Sequence, residues 1–124
     1  FMPKGFGSEN MSALYMLKPA QGVEGITDAI VATVKNAGSR PCPPVYVGVG
    51  IGGTFDGCAY LAKKALTRDI GTHSDREDIA AIEREALKRI NGLDSCEWAP
   101  THIAGLPVAV NIQCHCVRCV KAEL

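Results

Sequence analysis

The stretch Val45-Tyr46-Val47-Gly48-Val49-Gly50-Ile51-Gly52-Gly53-Thr54 decides how this chain folds. Residues 45 to 51 carry no charge, with β-branched Val45, Val47, Val49 and Ile51 between Tyr46, Gly48 and Gly50, the pattern of a strand covered on both faces. The glycines end that strand, and Thr54 or Asp56 then stands where a helix cap is needed. A helix is predicted over about Phe55 to Thr67, with Ala59, Leu61, Ala62, Ala65 and Leu66 packing inward. Immediately upstream lies Pro41-Cys42-Pro43-Pro44. Proline fixes φ and lacks a backbone donor, so three prolines around one residue make a stiff loop that neither pairs as sheet nor continues as helix. Cys42 is thereby held beside the strand, a placement that suits a metal ligand or a redox thiol.

Further outward, Val23, Ile26, Ile30 and Val34 recur at helical spacing between Gly22 and Ala37, with Thr27 and Asp28 on the other side and Gly38 as the C-terminal cap. Ser74-Asp75-Arg76-Glu77 reads as a capping box, and Ile79, Ile82, Ala86, Leu87 and Ile90 line one face of the helix that follows, up to Gly92. Val108, Val110 and Ile112 alternate with Ala109, Asn111 and Gln113, predicting a half-buried strand that delivers Cys114 at its end. Pro3, Gly5 and Gly7 make the first eight residues a loop whose backbone comes close to something else. The expected fold is α/β: a mixed sheet of short strands with amphipathic helices, in one domain.

With 124 residues, 47% of them hydrophobic, the chain can bury one core. Its 13 basic and 13 acidic residues cancel, and no basic run tracks a phosphate backbone, so nucleic acid is not an expected partner. No apolar stretch reaches the length of a membrane span and no signal peptide is visible; a soluble, cytoplasmic protein is expected. The chain begins at Phe1 on a glycine-rich stretch, which suggests part of a longer polypeptide. Six cysteines in so apolar a chain point to metal or thiol chemistry in preference to disulfide staples.

Gly48-Val49-Gly50-Ile51-Gly52-Gly53 fits the dinucleotide-loop pattern G-x-G-x-x-G, but the acidic residue expected at the end of a second strand is missing. Glycines that let helix and strand pack closely are the better reading. Cys114-His115-Cys116-Val117-Arg118-Cys119 contains C-x-x-C, half of a zinc site. The other half is absent from the local sequence, because Cys42, Cys58 and Cys96 stand alone. Cys58 reads as a small buried apolar residue; His102 and His73 read as structural hydrogen-bonding residues.

Lys4-Gly5-Phe6-Gly7-Ser8-Glu9-Asn10-Met11-Ser12, Asn36-Ala37-Gly38 with Pro41-Cys42-Pro43-Pro44, Val47 to Asp56, and Pro100-Thr101-His102-Ile103-Ala104-Gly105-Leu106-Pro107 on to Cys114-His115 together resemble the alpha subunit of the iron-sulfur hydro-lyases. These are the class I fumarate hydratases and L-tartrate dehydratases. The resemblance implies that residues 1–124 are the C-terminal part of that alpha domain, within a larger catalytic unit. It implies a [4Fe-4S] cluster on three cysteines with one open iron acting as Lewis acid on a four-carbon dicarboxylate. Cys42 and Cys114 fall on two of the ligand positions, His102 on a carboxylate-binding position and Gly7 on a backbone contact to substrate. The third ligand, in a Cys-Gln-Asp-Thr-Gly segment, and the proton-transferring base of a beta subunit or domain are outside this chain. No catalytic residue is therefore assigned within it, the isolated chain is expected to be inactive, and an oligomeric assembly is implied. Where the family shows His-Ala-Ala-Arg-His or similar, this chain has His115-Cys116-Val117-Arg118-Cys119. The alternative is a non-catalytic module, either a zinc-thiolate domain on Cys114, Cys116 and Cys119 or an assembly piece.

Overall fold

The structure is a computed structural model, and it describes residues 9–38, 40–41, 45–69, 71–93, 111–114 and 120–123. Among the described residues three α-helices, α1 (Gly22–Ala37), α2 (Phe55–Ala65) and α3 (Glu77–Asn91), accompany three strands, β1 (Val45–Gly50), β2 (Asn111–Cys114) and β3 (Val120–Glu123). The strands form one sheet in the order β2-β1-β3. β2 runs antiparallel to β1, with Val45 opposite Cys114 and Gly48 opposite Asn111. β3 runs parallel to β1, with Val47 opposite Val120 and Gly50 opposite Glu123.

β1 is central, paired on both edges, and both of its faces are covered, as its sequence shows. Val45, Val47 and Val49 point to one side, where they join Ile30, Val34 and Ala37 of α1 and Ile79, Ile82, Ala86 and Ile90 of α3 in the core. All three valines are at most 1% exposed. The alternate positions, Gly48 and Gly50, face α2. A Cβ on Gly48 would meet the Ala62 carbonyl and the Leu66 side chain, and a Cβ on Gly50 would meet the Cys58 carbonyl. Side chains on one face and their absence on the other thus set two different packing distances for the helices.

α1 spans the predicted residues, and its C-cap Gly38 takes φ 53° while its N–H reaches the Val34 carbonyl. One part of the expected face is corrected: Thr27 is buried at 1%, not turned outward. Its Oγ1 donates to the Val23 carbonyl at 2.9 Å, and local back-bonding of this kind lets a hydroxyl enter the core without an unmet donor. Val23, in contrast, is 60% exposed.

α2 is capped by Thr54, whose Oγ1 accepts from Gly57 N at 3.3 Å. It ends two residues before the predicted Thr67, where Leu66 N and Thr67 N turn back to the carbonyls of Lys63 and Lys64. Ala62, Ala65 and Leu66 are buried, but Ala59 is exposed. α3 lacks the expected capping box. Its N-cap is Arg76, with no side-chain cap; Ser74 Oγ instead accepts from Arg76 N at 3.4 Å, and Ser74 N is drawn to Glu83. Of the predicted last strand, Asn111–Cys114 is observed as β2, while 108–110 lie outside the described residues.

Candidate functional site

The pairing of β2 with β1 brings together two positions far apart in sequence. Cys114, the last residue of β2, lies opposite Val45, the first residue of β1. Opposed residues of antiparallel strands have Cα atoms about 4.5–5.5 Å apart. Cys42 precedes Val45 by three residues in sequence. Cys42 itself, and likewise Gly7 and His102, lie outside the described residues. Among the described residues no three His, Cys, Asp or Glu side chains converge. In donor chemistry the set fits an iron-sulfur cluster, since thiols are what such clusters bind.

At the opposite end of β1 the chain turns through Gly52 and Gly53, whose φ values of 83° and 77° lie in the left-handed region. Open space surrounds the Cβ direction of both; conformational freedom, not crowding, makes glycine necessary there. This differs from Gly48 and Gly50, where the α2 backbone leaves no room. The glycines therefore do two separate jobs, close packing and a turn, and the packing role agrees with the sequence reading.

The turn forms one wall of an apolar cleft of about 320 Å³ whose other wall is the segment Leu14–Pro19 and the start of α1. Met16 and Phe55, which line it, are 81% and 68% exposed. Cys58 also lines it, half-buried, with Sγ donating to the Gly50 carbonyl at 3.0 Å. Burial pushes the Cys58 thiol above the usual cysteine range, only partly countered by a backbone hydrogen bond from Gly52. The thiol is accordingly a neutral tether between α2 and the end of β1. Asp56, at the exposed start of α2, is held below the usual carboxylate range, chiefly by its hydrogen bond with Thr54 and then by backbone N–H groups.

A buried acid that sequence reasoning missed organises the loop between α2 and α3. Glu83 sits on the apolar face of α3 at 2% exposure. Its Oε1 accepts from Arg68 Nη2 at 2.6 Å. Its Oε2 accepts from Ser74 N at 3.2 Å and lies 3.1 Å from His73 Nδ1. The signal was present: Glu83 follows Ile79 by four and precedes Ala86 by three, the inward stripe of a helix, and an acid there requires partners. His73 is thus a structural hydrogen-bonding residue.

Comparison with known proteins adds the following. The family model described as fumarate hydratase (Fumerase) matches residues 1–96. A protein of Methanocaldococcus jannaschii whose provisional name is L(+)-tartrate dehydratase subunit alpha is 49% identical over 127 aligned positions, covering 90% of this chain and 45% of that protein. The L(+)-tartrate dehydratase subunits alpha of Escherichia coli K12 and Shigella boydii are each 32% identical over 90 positions, covering 73% of this chain and 29% of theirs. The chain thus spans less than half the length of these relatives.

Proposed function

The chain belongs to the fumarate hydratase (Fumerase) family, and on that premise we propose that it is part of an iron-sulfur hydro-lyase acting on a four-carbon dicarboxylate. The reaction would be hydration of fumarate or dehydration of tartrate. The single observation that best supports the placement of the site is the register that sets Cys114 opposite Val45, three residues from Cys42. Cys42 and Cys114 would supply two thiolates to a [4Fe-4S] cluster. When bound, such a cluster supplies an open iron that acts as a Lewis acid toward the substrate hydroxyl.

The chain's own residues would bind and orient. His102 would hold a substrate carboxylate through its ring N–H, and Gly7 would let the backbone approach the substrate where any side chain would obstruct it. The α/β unit serves as a rigid frame: β1, covered on both faces, fixes the strand end from which the ligand loop departs. Within this reading the unit is one part of a larger catalytic domain in a cytoplasmic enzyme, the third ligand and the proton-transferring base come from elsewhere in an oligomeric assembly with a beta-type partner, and the isolated chain is inactive.

The test is anaerobic reconstitution with iron and sulfide after co-expression with the unmatched portion of the archaeal alpha subunit and a beta-type partner. The complex should hydrate fumarate or dehydrate L-tartrate, and Cys114→Ser should lose both the brown cluster absorption and turnover. Full cluster content in Cys114→Ser would refute the assignment.

A further inference from the structure

The cleft between the Gly52-Gly53 turn and residues 14–19 has no part in the chemistry proposed above. It lies at the end of β1 away from Val45; at about 3.3 Å per residue, Gly50 stands roughly 17 Å from the residue that Cys114 faces. Its lining is apolar, built on Leu14, Leu17, Ile26, Ile51 and Phe55, and among the described residues Lys18 is the one charged side chain that lines it. A dicarboxylate there would leave one of its two charges unmatched. The exposed apolar surface is large all the same: Met16 and Phe55 line the cleft at 81% and 68% exposure, and Val23, next to the lining Gly22, is 60% exposed. Contiguous apolar surface of this kind marks an interaction site.

Every residue of the lining falls within the stretch 1–96 that the family shares, whereas the archaeal alpha subunit aligns over only 45% of its length. More than half of such a subunit is therefore left to cover a surface that the family sequence builds. We infer that the cleft is the docking surface for that remainder of the alpha subunit, which inserts an apolar segment between the Gly52-Gly53 turn and residues 14–19. The turn suits a close approach: neither glycine has a Cβ, and open space lies in the direction where one would point. Lys18 adds one cation at the edge, matched by an acid or a carbonyl of the incoming segment. A second copy of the chain fits less well. An isologous contact would set cleft against cleft, and two concave surfaces leave each other unfilled. The inference rests on the reading of this chain as one part of a larger catalytic unit, and it adds the face through which that unit closes.

The experiment co-expresses the tagged full chain with the portion of the archaeal alpha subunit outside the aligned stretch, with no iron or sulfide added. The two should co-purify. Met16→Asp and Phe55→Asp should each cut recovery of the partner about tenfold or more, while Tyr60→Asp, equally exposed on α2 but outside the cleft, should leave it unchanged. An acid in the first turn of α2 suits the helix dipole, so Phe55→Asp keeps the helix, as far-UV circular dichroism of the free variant checks. A second readout needs no substitution. Hydrogen peroxide should convert Met16 to its sulfoxide about tenfold more slowly in the complex than in the free chain. No co-purification with the unaltered chain, recovery that ignores both cleft variants, or equal Met16 oxidation in the two states overturns the inference. Another occupant overturns it too: a free chain that is dimeric until Phe55→Asp makes it monomeric puts a second copy in the cleft. Faster Met16 oxidation after deletion of residues 1–8 puts the chain's own start there. The hydro-lyase reading fails separately. A complex that protects Met16 yet takes up no iron and sulfide sinks that reading alone, and an active complex with unprotected Met16 sinks only the docking.

Discussion

Glu83→Ala removes the acid that ties the α2–α3 loop to the core, and its cost can be worked from the contacts. A carboxylate at 1% side-chain exposure accepts from Arg68 at 2.6 Å and from Ser74 N at 3.2 Å, with His73 Nδ1 at 3.1 Å. Hydrogen bonds to charged groups contribute about 1.5–3 kcal/mol each, and breaking a buried pair from one side costs about 3–5 kcal/mol. Discounting is required, because the Arg68 and His73 side chains are 20% and 50% exposed and can recover water once released. A net loss of about 2–3 kcal/mol is expected. For a chain of this length, unfolding entropy near the midpoint makes each kcal/mol worth about 4 °C, so the melting temperature should fall by roughly 8–12 °C. Glu83→Gln keeps an acceptor for Ser74 N and should fall between the two. The assay is urea and thermal unfolding followed by far-UV circular dichroism, with Arg68→Ala and the double variant closing a cycle. A destabilisation by Glu83→Ala below about 0.5 kcal/mol, or additive effects in the cycle, would show that the buried acid is not coupled to Arg68.

Three further outcomes follow from the same geometry. Gly50→Ala should be far worse than Gly53→Ala. The first drives a Cβ into the Cys58 carbonyl, whereas the second meets open space and only the left-handed penalty, about 1–2 kcal/mol; comparable losses would show that α2 does not lie against Gly50. Thr54→Ala removes the N-cap of α2 and should cost about 1 kcal/mol. It should also raise the Asp56 titration, measured by NMR, toward the ordinary carboxylate range, because Thr54 is the main cause of its depression. A carboxyl held low in the folded state favours its charged form there. Its contribution is therefore present at neutral pH and fades as pH falls through the acid range, and an unmoved Asp56 titration in the variant contradicts the assignment. Finally, Cys58 should react with iodoacetamide at pH 7.5 more slowly than glutathione does, since burial raises its thiol; equal rates would remove the neutral tether.

Much of this protein was legible because its signals are local. The period of Ile26, Ile30 and Val34, the stop at Gly38, the apolar run at Val45 and the cap at Thr54 each act within a few residues, so α1, β1 and the start of α2 can be read directly. Hydrophobic period says which face turns inward but not what else that face must accept. Thr27 and Glu83 were therefore misread or missed, although both are buried and partnered. Ser74 failed as a cap for the same reason: the local motif was outcompeted by a buried carboxylate nine residues on.

The candidate site divides along the same line. Which residues are candidates is written in the chain: Cys42 among its prolines and Cys114 at the end of an apolar alternation. That Cys114 comes to stand against Val45, at the start of β1, is decided only when β2 and β3 settle on opposite edges of β1, with Val120 against Val47. Strand partners are chosen by backbone hydrogen bonds and by burial between α2 on one face and α1 with α3 on the other. Those forces act across some sixty-nine positions, from Val45 to Cys114, and leave no periodic mark in the residues they join.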